Sequence, residues 1–206
     1  MSNKGFTLIE LLAVITIMGI LMLVAIPAVT RTIENSRRDT FADVAGEYLT
    51  AVRNGVLADE IECYYTASGE EWTVASALPD GTYYFPICTN SAETTCIEIP
   101  LGTGEGAGSY DKGSIKTSTT DLLETGGKSP FGNADVYGYV TWTKKTEDEK
   151  SKTEYKVFLQ DTGKHGLSSA KTSKELKRSE VNPDLKDEAN ISKIKLDGAN
   201  AVCKMA

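Results

Sequence analysis

Glu10 is the most unusual ionisable residue of the sequence, because it lies in an otherwise uncharged apolar stretch. Residues 6–29 read FTLIELLAVITIMGILMLVAIPAV, and Glu10 is their only charge. A charged, unpaired carboxylate at the centre of a bilayer costs about 2.5 kcal/mol or more. We therefore expect Glu10 to need a positively charged partner or a proton. A carboxylate also suits the first turn of a helix, where the helix dipole favours it.

The residues before this stretch favour a peptide-cleavage site. As a helix, residues 6–29 would be about 36 Å long, enough to cross a membrane. A secretory signal would have a shorter apolar region with its cleavage site after it, whereas here only MSNKG comes first. Gly5 has no Cβ and lets a peptidase approach the backbone closely. We expect cleavage between Gly5 and Phe6, and no second membrane span.

The run Lys4–Glu10 (KGFTLIE) resembles the prepilin processing signal of type IV pilins and type II secretion pseudopilins. The resemblance covers about residues 1–60. It implies that a prepilin peptidase cuts after Gly5 and methylates the new amine of Phe6, while the leader stays cytoplasmic and the body faces outward. We predict that Glu10 drives subunit docking by pairing with this Phe6 amine of a neighbouring subunit. Phe6 and Glu10 are four residues apart, so on one helix they would share a face.

Two further residues of the apolar stretch match family landmarks. Pro27 removes an N–H from the helix and crowds the carbonyl of Leu23, so we expect a kink. The resemblance implies that the stretch from Gly19 to Pro27 can lose helicity inside a filament.

The resemblance also predicts location and partners. The subunit would reside in membrane lipid, meet an inner-membrane assembly platform, and polymerise with other pilin subunits into a cell-surface filament. We expect a type IV pilus subunit that serves adhesion, motility or DNA uptake. One alternative is a type II secretion or competence pseudopilin, and another is a membrane-anchored surface domain that binds a ligand without polymerising. The net charge of −7 argues against nucleic-acid binding by the isolated subunit.

The patterns in the rest of the sequence predict an α+β fold, in which a long N-terminal helix packs on a head made of an antiparallel β-sheet. An apolar stripe at helical spacing extends the helix to about Ala58; it comprises Ile33, Phe41, Val44, Tyr48, Val52 and Val56. The predicted organisation is leader 1–5, transmembrane or filament-core helix 6–29, amphipathic helix 30–58 and β-rich head 59–206.

Short runs rich in β-branched and aromatic residues indicate that the head consists mostly of β-strands. We predict strands at Thr82–Ile87, Thr95–Ile99, Asp135–Thr143 and Glu154–Gln160, with a possible last strand at Ile191–Leu196. Val140 and Trp142 would share one face of their strand, as would Tyr155, Val157 and Leu159 of the partner. Pro86 predicts an edge or irregular strand. The charged run Lys144–Lys152 predicts a solvated hairpin loop.

Four cysteines lie outside the apolar helix: Cys63, Cys88, Cys96 and Cys203. In an exported head they predict two disulfides, for which three connectivities are possible. A zinc site is the weaker alternative, since there is no C-x-x-C. By the resemblance, Cys203 is the cysteine expected to close a long loop.

No residue pattern predicts catalysis, a metal or a cofactor. His165 is the single histidine, and a surface turn explains it, without a Ser–His–Asp arrangement around it. Asp161-Thr162-Gly163 matches the tripeptide of aspartic proteases, but those enzymes need two carboxylates that share a proton. We interpret it as a turn after a strand that ends at Gln160, with Gly163 at a position that can require positive φ.

Overall fold

The computed structural model describes residues 7–65, 72–88, 128–147, 150–185 and 201–205. Helix α1 spans Leu8–Ala58, which confirms the predicted long helix and its end. The chain divides into two compact units, residues 1–37 and 38–206. Within the first unit, the large apolar side chains from Leu8 to Val29 are all exposed. Among the described residues, one helix, α1, is long and apolar enough to cross a membrane, by length and composition.

The second unit contains the remainder of α1 and the head. One face of the helix is buried there, as the apolar stripe predicts; its buried residues are Phe41, Ala42, Ala45, Tyr48, Leu49, Val52 and Gly55. The helix ends in a Schellman motif, in which the Glu60 N–H donates to the Gly55 carbonyl at 2.9 Å. Asp59 takes the left-handed position, with φ of 58°. Its carboxylate accepts hydrogen bonds from the Ser76 N–H and hydroxyl, both at 2.8 Å.

In the described residues of the head, eight strands form one sheet. Their bounds are β1 Ile61–Tyr65, β2 Trp72–Val74, β3 Gly81–Cys88, β4 Val136–Glu147, β5 Lys150–Asp161, β6 Gly166–Leu167, β7 Val181–Asn182 and β8 Ala201–Met205. Short 3-10 helices occupy Ala75–Ala77 and Arg178–Glu180. The spatial order is β2-β1-β8-β3-β4-β5-β6-β7. Neighbours are antiparallel except β3 and β8, which are parallel. The predicted α+β fold is confirmed, with one parallel pair added.

The two longest strands form the predicted hairpin and carry the core. Val140 and Val157 are opposite each other in the register and fully buried. Trp142 is also buried on this face, with its ring 5.1 Å from that of Tyr83. Leu159 joins the same core, and Tyr155 packs against it, half-buried. The shared faces predicted for Val140 with Trp142, and for Tyr155 with Val157 and Leu159, are therefore confirmed.

The predicted hairpin loop at Lys144–Lys152 is wrong in extent. Strand β4 continues to Glu147 and β5 begins at Lys150, so most of the charged run is paired strand. The backbones of two strands can pair where their side chains are exposed, so a charged sequence does not exclude a strand. Side-chain contacts support the pairing of β4 with β5 in this exposed part. The Thr146 N–H and hydroxyl donate to the Asp80 carboxylate at 2.6 and 2.9 Å. Lys152 forms an ion pair with Glu147.

The edge position predicted from Pro86 is also wrong, because β3 lies between β8 and β4. The reason is local. Pairing with β8 covers only Tyr83 and Tyr84, so no described strand flanks Pro86 on that side. A proline, which lacks an N–H, is tolerated at such a position. The strands predicted at Thr95–Ile99 and Ile191–Leu196 lie outside the described residues.

Candidate assembly site at the helix start

The start of α1 positions the Glu10 side chain. Thr7 precedes the helix, and the Leu11 N–H donates to the Thr7 carbonyl at 3.2 Å. The Thr7 N–H and the Thr7 hydroxyl both donate to Glu10 Oε2 at 2.8 Å. In return, the Glu10 N–H donates to the Thr7 hydroxyl oxygen at 3.4 Å. This is a capping box, in which two residues three apart satisfy the free N–H groups of a helix start.

The capping box leaves half of the carboxylate available. Oε1 of Glu10 receives no hydrogen bond from any described residue, and the side chain is exposed. The Thr7 contacts hold the carboxylate back towards the chain start. One oxygen thus serves the protein's own helix, and the other can bind a cation. The helix-start role of Glu10 and a pairing role are therefore compatible.

The cleavage residues Gly5 and Phe6 lie outside the described residues. The described part of α1 begins at Leu8. The pairing of Glu10 with the Phe6 amine therefore stays a prediction.

Gly19 and Pro27 both lie inside α1. A Cβ added to Gly19 would meet nothing within 4 Å. Near Pro27, the Thr30 hydroxyl donates to the Ile26 carbonyl at 2.9 Å. The carbonyl that loses its donor to Pro27 is that of Leu23. The kink and the loss of helicity between these residues stay predictions.

One disulfide joins Cys63 to Cys203, which are 140 residues apart in sequence. The two residues are directly opposite each other on β1 and β8, and both are buried. The bridge therefore ties the C-terminal strand to the strand that follows the helix, as expected for Cys203. Cys88 is the last residue of β3, and Cys96 lies outside the described residues.

The head contains a buried polar cluster that the sequence analysis missed. Asp161 is fully buried at the end of β5. Its carboxylate accepts hydrogen bonds from the Ser129 hydroxyl at 2.5 Å and from the His165 N–H at 2.8 Å. His165 Nδ1 lies 2.9 Å from Asp161 Oδ2. The imidazole also stacks on the Phe131 ring, with centroids 4.3 Å apart.

This cluster corrects the interpretation of His165 as a plain surface turn without Ser or Asp partners. The residue order is nevertheless not that of a hydrolase triad. There the histidine lies between the acid and the serine and takes the serine's proton. Here Asp161 is central, and both Ser129 and His165 donate to it. The arrangement stabilises the loop and turn that flank β4 and β5.

The predicted turn after Asp161 is confirmed, but the glycine at position 163 is not explained by a positive φ. The residue with positive φ is Lys164, at 68°, and not Gly163. A Cβ on Gly163 would come within 2.9 Å of the His165 ring. Glycine is therefore required for space. Among the described residues, no cluster of three or more His, Cys, Asp or Glu could hold a metal ion.

Comparison with known proteins identifies the N-terminal signal. Residues 1–26 match the family described as the prokaryotic N-terminal methylation motif. The match supports a type IV pilin-like prepilin signal, as the resemblance of KGFTLIE indicated. No curated protein and no solved structure matches the chain.

Proposed function

We propose that the chain is a structural subunit of a type IV pilus, cut between Gly5 and Phe6, methylated at Phe6, and polymerised through α1. The methylation motif supports a pilin-like or pseudopilin precursor that a prepilin peptidase processes and that assembles with other subunits. The exposed apolar part of α1 suits lipid before assembly and other helices afterwards. The motif points to a structural, non-enzymatic protein.

The observation that carries the proposal is the Glu10 carboxylate, in which one oxygen accepts hydrogen bonds from Thr7 and the other receives none from the described part of the chain. Cleavage after Gly5 creates a positively charged amine on Phe6, and methylation keeps it cationic. In a bundle of apolar helices, an amine of one subunit would bind the open oxygen of its neighbour. A buried ion pair contributes little net free energy, whereas a missing partner costs about 3–5 kcal/mol. The pair therefore selects the register of docking.

The apolar helix would supply most of the contact between subunits. Contact between closely packed helices is only weakly directional, since many registers bury similar apolar area. A single charged pair in that environment discriminates strongly between registers, because every wrong register leaves two charges unpaired. A pseudopilus subunit would use the same signal and the same pairing. The two assignments differ in whether the fibre extends from the cell surface under normal expression.

The central experiment is Glu10→Ala, with Thr7→Val and Glu60→Ala as companions. Glu60 is an exposed head carboxylate, so its variant removes a charge away from α1's start. We expect all three to be cut and inserted into the membrane, as measured by mass spectrometry of the mature N-terminus. Glu10→Ala should reduce the subunit in sheared fibres at least tenfold, and Glu10→Asp should be partly defective. Thr7→Val should have a smaller effect, because it removes the hydroxyl contacts but leaves the carboxylate.

Cleavage itself is tested by Gly5→Leu, for which we expect an uncut chain and no fibres. Normal fibre numbers in Glu10→Ala cells would show that Glu10 serves only the helix cap. An intact Met1 in the wild-type membrane protein, with no subunit in any fibre fraction, would instead favour a membrane-anchored surface domain.

A further inference from the structure

Strand β5 has an open edge along its first half, from Lys150 to Tyr155. On one side, β5 pairs with β4 along its whole length. On the other side, β6 pairs with it only at Gln160, and an isolated bridge joins Val157 to Lys171. No described residue pairs with the part of β5 before Val157 on that side. The open edge therefore begins with the strand and ends at the bridge.

The backbone groups of alternate residues face this open edge. The Val157 N–H donates to the Lys171 carbonyl, and the Lys171 N–H donates to the Val157 carbonyl, both at 2.8 Å. Val157 thus directs its backbone groups away from β4. In an antiparallel sheet every second residue directs its N–H and C=O to the same side, so Tyr155, Thr153 and Ser151 share this direction. Their backbone groups form no hydrogen bond on that side with any described residue.

The opposite side of the β4–β5 hairpin is capped by a side chain. Thr146 lies directly opposite Ser151 in the register, so its backbone groups also face outward from the hairpin. The Asp80 carboxylate accepts a hydrogen bond from the Thr146 N–H at 2.6 Å. No described side chain does the same for Ser151 or Thr153, which are both exposed. An exposed row of backbone donors and acceptors is a template for pairing with another strand.

A second copy of the same edge fits this template. If the copy is turned about a two-fold axis through Thr153, the two β5 strands become antiparallel. Thr153 then lies opposite Thr153 of the copy, and Ser151 lies opposite Tyr155 on both sides of the axis. All three outward-facing positions are matched, which gives about six hydrogen bonds between the strands. The copy's strand begins at Lys150, and so it ends before it reaches the bridge at Val157.

The charges of β5 favour the same register. Lys152 lies opposite Glu154 of the copy, twice per pair, and opposite charges on neighbouring strands stabilise their pairing. Their side chains are 71% and 57% exposed, so both can reach across the edge. Within one chain, Lys152 forms an ion pair with Glu147, and Glu154 lies 2.9 Å from Lys156. Pairing therefore joins these ion pairs into one row of alternating sign. Lys150 meets Lys156 of the copy, whose charge Glu154 offsets.

We propose that two copies of this chain join their β5 edges into one continuous sheet about a two-fold axis. Lysine on an edge strand discourages pairing with most strands, and here it selects a partner that presents a carboxylate. Successive subunits of a filament are related by a heterologous contact, whereas a two-fold contact is isologous. The β5 contact therefore connects subunits of different filaments and bundles them. The pairing uses the head alone, so it goes beyond the proposed function and does not depend on it.

A cysteine at the two-fold axis tests the register directly. The Cα atoms of a hydrogen-bonded pair are about 5.5 Å apart, within the range of about 4.4–6.8 Å that a disulfide spans. The full chain with Thr153→Cys, in detergent under mild oxidation, should form covalent dimers. Lys145→Cys, at an exposed position of β4, should stay monomeric. A mixture of Lys152→Cys chains with Glu154→Cys chains should cross-link more than Lys152→Cys chains alone, because residues 152 and 154 face each other.

A proline at the same position tests the backbone contact. Thr153→Pro removes an N–H that faces the open edge and leaves the hydrogen bonds to β4 in place. We expect it to weaken dimerisation of the full chain by about tenfold in analytical ultracentrifugation, because it removes hydrogen bonds at the centre of the contact. The matched control Thr153→Val keeps the N–H and should stay close to wild type. The Cys63–Cys203 disulfide reports on folding of the head in each variant.

Charge reversal tests the choice of partner. Lys152→Glu should weaken dimerisation, because it places two carboxylates opposite each other. Adding Glu154→Lys to the same chain should restore dimerisation, since the pair is then present with its signs exchanged. Lys145→Glu makes the same charge change on β4, away from the open edge, and should have little effect.

Electron microscopy of sheared fibres gives the consequence for filaments. Wild-type filaments should associate side by side, and Thr153→Pro filaments should be separate at a normal yield. If Thr153→Cys gives no cross-link in detergent or in fibres, or Thr153→Pro leaves dimerisation unchanged, the inference is wrong and the proposed function stands. Cross-linked dimers from cells that place no subunit in any fibre would support the pairing and overturn the proposed function.

Discussion

Replacing Asp161 tests the conclusion that the buried cluster of Asp161, Ser129 and His165 stabilises the head. Asp161 is fully buried and accepts hydrogen bonds from the Ser129 hydroxyl and the His165 backbone N–H, and His165 Nδ1 lies 2.9 Å from its carboxylate. Hydrogen bonds to a charged group contribute about 1.5–3 kcal/mol each, against about 0.5–1.5 kcal/mol for neutral pairs. An Asp161→Asn variant keeps the shape and one acceptor oxygen but loses the charge.

The structure sets the expected magnitudes. We expect Asp161→Asn to lower the free energy of unfolding of the head by about 1–3 kcal/mol. Asp161→Ala removes the acceptor altogether and leaves two donors, the buried Ser129 hydroxyl and the partly buried His165 backbone N–H, without this partner. Each costs about 1–3 kcal/mol, so we expect a loss of about 2–6 kcal/mol. That is a large part of the stability of an ordinary domain, about 5–15 kcal/mol.

The assay is guanidinium unfolding of the full chain in detergent, followed by tryptophan fluorescence. Trp142 is buried in the head core, so its emission changes when the head unfolds. Asp184→Asn is the matched control, since Asp184 is exposed and its replacement should change stability by less than about 0.5 kcal/mol.

Two results would refute this reasoning. Wild-type stability in Asp161→Ala would show that the cluster does not hold the turn. An Asp161→Asn protein with unchanged stability and normal export that nevertheless lost fibre function would give Asp161 a role in chemistry or contact. A Ser129→Ala variant adds a further check. Its cost should shrink in the Asp161→Ala background, because both changes break the same hydrogen bond.

Three further predictions concern the head. Since Cys63 is bridged to Cys203, disulfide mapping of exported protein should join Cys88 to Cys96; two free thiols there would contradict it. Burial, and then the nearby Tyr84, raise the pKa of Tyr139 above 10.0, so its contribution to stability is present below pH 10.0 and lost as the pH rises through the folded-state pKa. Alkaline unfolding followed by tyrosinate absorbance should therefore begin at higher pH in Tyr139→Phe. Finally, Gly138→Ala should destabilise by about 1–3 kcal/mol, because its Cβ would overlap the backbone of β5. Gly46→Ala, where the nearest atom is 3.8 Å away, should be neutral or stabilising in the same unfolding assay.

Local patterns account for what could be predicted from the sequence. The helix end near Ala58 follows from the 3.6-residue spacing of Phe41, Tyr48 and Val52, which the structure buries. The shared face of Val140 and Trp142 follows from the two-residue period of a strand. Each of these signals lies within one element and needs no knowledge of what packs against it.

Charge and proline gave misleading signals in the head. Lys144–Lys152 is polar throughout, yet a strand beyond the core remains paired through its backbone and through contacts such as Thr146 with Asp80. A proline predicts an edge strand because it lacks the N–H that a neighbouring strand would need. The pairing of β3 with β8 ends at Tyr84, before Pro86, so no such N–H is needed there. The composition of a strand does not determine how many of its residues pair with the neighbouring strands of the sheet.

The sequence by itself determined the processing signal, the apolar helix and its amphipathic continuation, because these depend on the order of residues over one or two helical turns. Only the tertiary structure decided that β8 enters the sheet between β1 and β3, which places Cys203 opposite Cys63. Only it brought Ser129 to Asp161 across 32 residues. Contacts between residues far apart in sequence depend on the packing of the whole sheet, and no local spacing encodes which pair will meet.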